Sequence, residues 1–535
     1  MKVLLVQPPI EDFYDTSIRT YPLGLLYVAS RVSSLAETIV FDARTGVNPK
    51  PLASHGFTEL DPYYKDRGIT PFSFFGRYKR FGLTKAEIRA RIGEEKPDIV
   101  GVASMCTAYE REALEVAEAA KEVNRDIVTV VGGVHPTLFP LHVLAKESVD
   151  YCIRGEGETP FFELVTALSG KGRRGMKEIH GLCFRQEDAP HLSGVNVESD
   201  IDLLPARHLV EPERYRIGRK RYSFLLTSRG CPNSCGFCGK PPIPYRQRNL
   251  KSVKKEMDTA AALGVEAIDF EDDMLNLDKG FFADVLKETS GRGLTLSAMN
   301  GIYPGNMDAA TLRLMHDAGF RRLNFSLVDV SKSVLRRQGR EQQQSFMRLL
   351  PFLEASSFLV EVHFIIGLPG QDPENLLDTI LLLMGKRVLL GPSLFYLAPG
   401  SPLHAEGAGH REEIPFSSMR SSIMLPFNPL FPRTMTFTFV KIVRFVNYVK
   451  GLLDSGDGLS KMSDLPGAKG APKDPRERAV VETLLRERRF VCYDQKEGGL
   501  SDEPVEPALV RRFFERAKGS WIMGYKTRNR LVADV

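Results

Sequence analysis

The stretch Thr227-Ser228-Arg229-Gly230-Cys231-Pro232-Asn233-Ser234-Cys235-Gly236-Phe237-Cys238 sets three thiols at x3 and x2 spacing on one short loop. It directly follows a strand-like run, Ser223 to Ser228. Thiols this close converge on one metal centre. A 4Fe–4S cube normally takes four cysteines, so three with no fourth nearby leave one iron open to an outside ligand. A structural zinc site is the alternative, but it needs four closed protein ligands, typically two CxxC-like pairs. Cys106, Cys152, Cys183 and Cys492 are scattered along the chain and each reads as a buried small apolar residue. The loop therefore reads as an open iron–sulfur site held by Cys231, Cys235 and Cys238.

Outward from the loop, strand-like and helix-like patterns alternate. Strands are expected at Ala267 to Phe270, Leu294 to Ala298, Arg322 to Leu327, Val360 to Ile366 and Ser393 to Leu397, with helices between them. Six strand–helix units over 221–404 predict a (β/α)6 partial TIM barrel with its chemistry at the strand carboxyl ends. Residues 1–170 alternate in the same way: strands at Val3 to Val6, Thr38 to Phe41, Asp98 to Ala103, Ile127 to Val131 and Tyr151 to Ile153. Val/Ile-rich strands separated by helices predict a doubly wound, Rossmann-like parallel sheet, α/β in class. Turn chemistry gathers at its strand ends: Pro8-Pro9, Ser104, Gly132-Gly133 and Gly155-Glu156-Gly157. Such sheets bind ligands outside those ends, where the strand order reverses.

Residues 171–220 read as a connector and 405–535 as a mainly helical C-terminal region, with a linker over Ser455 to Arg478. The aromatic-rich segment 44–82 has no period and is assigned no element. Phe439, Ile442, Val443, Val446, Val449 and Leu453 recur at helical spacing opposite Lys441, Arg444 and Lys450. A basic amphipathic helix of this kind either lies on a membrane surface or packs its apolar face on its own domain. Peripheral membrane contact and a lipid substrate thus stay open beside a small-molecule substrate. The basic run Arg214, Arg216, Arg219, Lys220 and Arg221 reads as a solvated face. Lys240, Arg246, Arg248, Lys251, Lys254 and Lys255, after the cysteine loop, are candidates for attracting an anionic substrate.

Composition bounds these readings. The 535 residues are 43% apolar and 26% charged, which excludes a disordered chain. A net charge of +5, from 72 basic and 67 acidic residues, does not argue for nucleic acid. No signal peptide and no apolar run of about 18 residues is visible, so a cytoplasmic protein without a transmembrane segment is expected.

The CxxxCxxC loop with an aromatic before its last cysteine, after the first strand of six strand–helix units, resembles the radical S-adenosylmethionine superfamily. The resemblance implies that Cys231, Cys235 and Cys238 hold a 4Fe–4S cluster. The open iron would chelate S-adenosylmethionine, with Phe237 near the adenine, and an electron donor such as flavodoxin or ferredoxin would be the partner. Phe270-Glu271-Asp272-Asp273 matches the acidic second-strand end of that family, which implies cofactor contacts for Asp272 and Asp273. Asn300 and Ser326 fall at later strand ends, where ribose and carboxylate contacts are usual. Phe364-Ile365-Ile366-Gly367-Leu368-Pro369-Gly370 matches the fifth-strand motif beside the adenine, which implies roles for Ile366 and Gly367. The fourth strand departs: Ser326-Leu327-Val328-Asp329 has Val328 where the family often has Glu, and Asp329, one residue on, points to the other face of a strand.

Pro8-Pro9, Tyr21 to Leu26, Gly132-Gly133-Val134-His135-Pro136-Thr137 and Arg154-Gly155-Glu156-Gly157-Glu158 resemble the cobalamin-binding domain that precedes many such barrels. That implies cobalamin contacts at Ser104, Gly132, Gly133, Gly155 and Glu156. Residues 8–22 contain no His to ligate cobalt, and His135 is the candidate neighbour. The two-domain resemblance implies radical methyl transfer to an unactivated carbon or to phosphorus. Two rivals are a radical enzyme for cyclisation, oxidation or coupling without methyl transfer, and a cobalamin- or redox-responsive iron–sulfur binding protein. Methylthiotransfer does not fit, because that group carries three further N-terminal cysteines.

Overall fold

A computed structural model describes residues 1–15, 19–52, 56–64, 68–172, 174–340, 343–406, 414–456 and 458–535. The first sheet contains β1 (Lys2–Gln7), β2 (Glu37–Asp42), β3 (Ile99–Ala103), β4 (Val128–Gly132), β5 (Tyr151–Ile153) and β6 (Leu182–Phe184). Its order is β6-β5-β4-β3-β1-β2, parallel from β1 to β5. The strand order reverses between β1 and β3. β6 runs antiparallel to β5 and comes from the segment read as a connector, so part of that segment is sheet. Alternation explains why β1 is apolar throughout: Val3 and Leu5 enter one core and Leu4 and Val6 the other. The helices that cover the sheet include α1 (Leu23–Val32), α2 (Lys85–Glu95), α3 (Glu110–Val123), the short α4 (Val134–Leu138) and α5 (Pro140–Leu144), and α6 (Glu158–Leu168). α2 opens on a capping box: Thr84 Oγ1 accepts from the Glu87 peptide N–H, and the Glu87 carboxylate accepts from that of Thr84.

The second layer holds β7 (Lys220–Leu225), β8 (Ala267–Phe270), β9 (Thr295–Ser297), β10 (Arg322–Val328), β11 (Leu359–Ile366) and β12 (Leu389–Leu394). β7-β8-β9 and β10-β11-β12 pair in parallel, each strand with the next in sequence. Parallel bridges at Leu296–Phe320 and Ile302–Phe325 link the two halves. The last strand lies earlier than expected, because Phe395 to Leu397 continue as the loop after β12 and not as strand. The chain is thus mixed α/β with two parallel layers.

The segment without a period is a brace. Lys79–Phe81 pairs with Ile10–Asp12 and with Lys50–Pro51. Phe72 meets Phe445, Tyr448 and Phe490 edge-on, and the Tyr64 hydroxyl donates to the Ser422 carbonyl at 2.7 Å. The C-terminal region is less helical than expected: Val491–Asp494 pairs with Gly499–Asp502, and Trp521–Met523 with Arg530–Val532.

Helix Arg433–Asp454 corrects the reading of its basic face. It is buried nearly all round, and Lys441 and Lys450 are 3% and 0% exposed. Lys441 pairs with Glu503 at 2.5 Å. Lys450 Nζ donates to the carbonyls of Met384, Lys386 and Met523 at 2.9, 2.7 and 2.8 Å. These two charges face inward, so the helix offers no basic face to a lipid surface. Among the described residues no helix is long and apolar enough to cross a membrane. Lys450→Met keeps the volume but strips three buried carbonyls of their donor. At about 1 kcal/mol each the loss is ~3 kcal/mol, to be read as a lower urea midpoint; an unchanged midpoint would refute this account.

Several members of the other basic runs are partnered locally. Arg216 and Arg221 pair with Glu213, and Arg214 donates to the Thr45 carbonyl. Arg246 pairs with Glu156, and Arg248 is buried against Glu256 at 2.5 Å. Neither Arg246 nor Arg248 presents a free charge to an anionic substrate.

Candidate functional site

The cysteine loop leaves the carboxyl end of β7 and is closed at its base by a short ladder, Ser228–Arg229 against Arg246–Gln247. Asp272, just past β8, clamps its entry. Its carboxylate accepts from the peptide N–H groups and the hydroxyls of both Thr227 and Ser228, at 2.6–3.1 Å. Asp272 is 1% exposed and this network occupies it, so it positions the loop and is not open to a ligand. Three glycines let the loop lie close to its neighbours. A Cβ on Gly230 would fall 2.4 Å from the Pro244 carbonyl oxygen, one on Gly236 2.7 Å from Gln338 Oε1, and one on Gly239 2.3 Å from the Pro399 carbonyl oxygen. Gly230 also has φ +79°, which favours glycine.

Cys231 is half-buried, Cys235 buried and Cys238 exposed. Burial pushes the Cys235 thiol up, opposed by Arg340, and the Lys240 ammonium lies at the loop, donating to the Cys231 carbonyl. Beside the loop the buried Gln338 amide has no hydrogen-bond partner at either atom among the described residues. Three thiols on one short loop, nearby cations and an unpartnered amide fit an anionic metal–sulfur group.

Phe237 packs against the buried cluster of Val328, Val334, Leu335, Leu368, Phe395 and Leu397, which gathers at the ends of β10 and β12. Val328 itself has φ +68°, rare for a β-branched residue, and follows a register shift between Ser326 and Val328. Asp329 does not replace the missing glutamate: its carboxylate is buried, accepting from Gln371 Nε2 at 2.6 Å and from the Ser331 N–H at 2.7 Å. Gln371 Oε1 in turn accepts from the Gly367 N–H at 2.8 Å, and Gly367 has φ +90°. Asp329 and Gln371 thus hold the turn after the buried Ile366. Ser326 is half-buried on β10, in register with His363.

The open carboxylates are Glu271 and Asp273. Burial, with Asp269 adding to it, pushes Glu271 up to about 7. Asn300 Nδ2 donates to Glu271 at its carbonyl, 3.0 Å, and its carboxylate, 3.2 Å. Asp273 is exposed.

The carboxyl ends of β1, β3, β4 and β5 face this arrangement across one largely apolar cavity of about 460 Å³. Gly132, Gly133, Gly155 and Glu156 line it from the first sheet, and Arg229, Ile243 and Glu271 from the other side. Cβ atoms on Gly24 and Gly132 would meet nothing within 4 Å, so side chains there would grow into the space. That is a cradle for a broad, flat group. Gly133 and Gly155 serve the backbone: φ is +115° and +87°, and a Cβ would lie 2.7 Å from the Ser104 carbonyl oxygen and 2.1 Å from that of Asn196.

Glu156 has a second partner set that sequence reading missed. Its carboxylate binds Arg229 at 2.9 Å and Arg246 at 2.8 Å, and Glu158 binds Arg229 at 2.8 Å. Arg229 also stacks 4.7 Å over the Tyr27 ring. Burial opposes the charge on Glu156, yet Arg246 and Arg229 hold its carboxyl below the usual range. The residue that opens the cysteine loop is thereby bolted to the first sheet.

Two further expectations need correction. His135 does not line the large cavity; it is 1% exposed and turned to Glu110, His142 and Phe416 behind α4. Cys106 is exposed on a second cavity of about 390 Å³ shared with Ser104, Tyr14 and Arg44, while Cys152 and Cys183, though buried, face each other across β5 and β6. Ser104 is buried, and its carbonyl accepts from the His135 N–H at 3.1 Å.

Comparison with known proteins matches residues 80–165 to the B12 binding domain and residues 225–383 to the radical SAM superfamily. An uncharacterized methyltransferase of Pyrococcus horikoshii is 28% identical over 396 residues, 71% of this chain and 77% of that protein. The cytidylyl-2-hydroxyethylphosphonate methyltransferase of Streptomyces wedmorensis is 24% identical over 410 residues, 69% and 73% of the two chains. The radical S-adenosylmethionine methyltransferase TsrM from Kitasatospora setae, solved with cobalamin and a [4Fe-4S] cluster bound, superimposes with a TM-score of 0.58 at 20% identity, over 83% of this chain and 90% of that one.

Proposed function

We propose, from the premise that this chain belongs to the radical S-adenosylmethionine enzymes carrying a B12 binding domain, that it transfers a methyl group to an unactivated carbon or to phosphorus of a small substrate. The observation that carries the reading is the single cavity shared by the glycine-lined ends of the first sheet and by Arg229 and Glu271 beside the thiol loop. The methyltransferases of Pyrococcus horikoshii and Streptomyces wedmorensis, similar over about 70% of the chain, support it.

In this reading Cys231, Cys235 and Cys238 hold a 4Fe–4S cluster, and Phe237, Asp273, Glu271, Asn300, Ser326, Ile366 and Gly367 surround S-adenosylmethionine. Gly132, Gly133, Gly155 and Gly24 bed cobalamin. When bound, these groups supply a reductively formed 5′-deoxyadenosyl radical and a transferable methyl. The protein's own part is placement. Asp272 fixes where the thiol loop starts, Gln371 fixes the turn at Gly367, and Arg229 fixes the distance between the two halves. The six strands β7–β12 are read as a (β/α)6 partial barrel and β1–β6 as a Rossmann-like sheet, with bounds at 1–170, 171–220, 221–404 and 405–535. A cytoplasmic setting and a flavodoxin- or ferredoxin-type donor complete the proposal.

The test is anaerobic reconstitution with iron and sulfide, then reductant, S-adenosylmethionine and methylcobalamin, assaying 5′-deoxyadenosine. Formation of that product together with stoichiometric cobalamin binding is expected. No cleavage by protein with an intact cluster would overturn the radical reading, and failure to bind cobalamin would favour cyclisation or coupling.

Glu271 sets a pH dependence. Its carboxyl lies near 7 in the free protein, and a cationic ligand binds the ionised form better. Binding therefore releases a proton below pH 7. Affinity for S-adenosylmethionine should rise by up to about tenfold per pH unit toward 7 and level off above it. Glu271→Gln should flatten this profile in equilibrium dialysis; an equally steep profile in the variant would rule Glu271 out.

A further inference from the structure

Behind the wall of the large cavity, away from the thiol loop, three potential metal donors converge. We propose that Glu110, His135 and His142 form a second metal site that takes one divalent ion of the zinc type. Their ligand atoms all lie within 4.8 Å of one another. Each comes from a different element: Glu110 opens α3, His135 lies in α4 and His142 in α5. The chain reverses at Phe139-Pro140 between the two short helices, and this brings the imidazole rings to 5.2 Å at 77°.

The state of the histidines is what points to a ligand. His135 is 1% exposed, and neither ring nitrogen has a hydrogen-bond partner among the described residues. A neutral imidazole carries one donor and one acceptor, and both are normally satisfied in a protein interior. His142 Nε2 is also without a hydrogen bond; the Glu110 carboxylate stands 3.6 Å from it, beyond hydrogen-bonding reach. Phe416 packs edge-on to both rings, at 5.3 and 5.2 Å, and keeps water from His135. Burial also pushes His135 down to about 4, which keeps its lone pair free at neutral pH.

Two imidazole nitrogens and a carboxylate oxygen suit zinc and its borderline neighbours, and three protein ligands leave one position for water. A groove of about 880 Å³ bordered by Glu110, His142 and Phe416 supplies that water and the route in. The ion would act as a buttress. The His135 N–H holds the Ser104 carbonyl, and Thr137, on the same short helix, accepts from the Gly155 N–H at 2.8 Å. Fixing α4 from behind fixes the glycine wall in front. The inference does not rest on the proposed reaction.

The experiment uses full-length protein grown or dialysed with Zn2+ and then desalted, with iron and zinc counted by mass spectrometry and the zinc site read by X-ray absorption. One zinc per chain is expected, with nitrogen and oxygen neighbours at about 2.0–2.2 Å and no sulfur. His142→Ala and the milder Glu110→Gln should each lower zinc retention at least tenfold while iron stays constant. No zinc retained by the parent protein, a sulfur-ligated zinc, or full retention in a folded Glu110→Gln or His142→Ala variant would overturn the site and leave a plain Glu110–His142 ion pair.

Discussion

Alanine at Cys231, Cys235 or Cys238 is expected to abolish reductive cleavage of S-adenosylmethionine. With two thiols left on the loop no cubane is retained, and one-electron cleavage has no other path through this chain. The rate should fall below about 10⁻³ of the parent value, the equivalent of ~4 kcal/mol of barrier. Iron and sulfide content should fall with it. The fold should survive, for reasons visible in the loop. Cys231 and Cys238 are not buried, and the loop's conformation is held at its base by the Asp272 clamp and the Ser228–Arg229 ladder. Circular dichroism and thermal melting should therefore barely move for those two. A variant that keeps parent levels of 5′-deoxyadenosine formation would remove the loop from the chemistry.

Gly132→Phe should separate cobalamin from the rest of the enzyme. A Cβ at Gly132 meets nothing within 4 Å, and its φ is not in the left-handed region, so the backbone tolerates a side chain. The phenyl ring then occupies the cavity of about 460 Å³. A corrin that must share this space meets a hard overlap, and core overpacking costs ~1–3 kcal/mol even where neighbours can shift. Cobalamin affinity should drop at least about 100-fold, roughly 2.7 kcal/mol. Cluster loading and uncoupled cleavage of S-adenosylmethionine should persist, because the thiol loop lies across the cavity. Gly155→Ala is the contrasting control, since its Cβ would strike the Asn196 carbonyl oxygen at 2.1 Å and its cost falls on stability. Undiminished cobalamin binding by Gly132→Phe would show that the corrin lies elsewhere.

Much of the fold is legible in the sequence. β1, β3 and β4 are buried on both faces and read as unbroken apolar runs, and the thiol spacing marks its own loop. What stayed hidden depended on residues far apart in the chain. Phe72 and Tyr64 look patternless because their partners lie near residues 420–490. Lys441 and Lys450 read as the basic face of an amphipathic helix because periodicity reveals a helix's apolar face but not whether something covers the other one. In Glu271-Asp272-Asp273 three adjacent carboxylates look alike. Only the position of Thr227 and Ser228 shows that the middle one is a clamp and its neighbours are open. The register shift between Ser326 and Val328 is likewise a feature that no single sequence announces. The Arg229–Glu156 pair spans 73 positions, and neither residue hints at the other.

Arg229 carries one more implication. It sits two residues before Cys231 and grips both Glu156 and Glu158, so a swing of either half would drag the cysteine loop with it. The enzyme is therefore built as a vice with fixed jaws. A cavity between halves joined this way keeps its width, and trimming the side chains that line it is expected to admit bulkier guests.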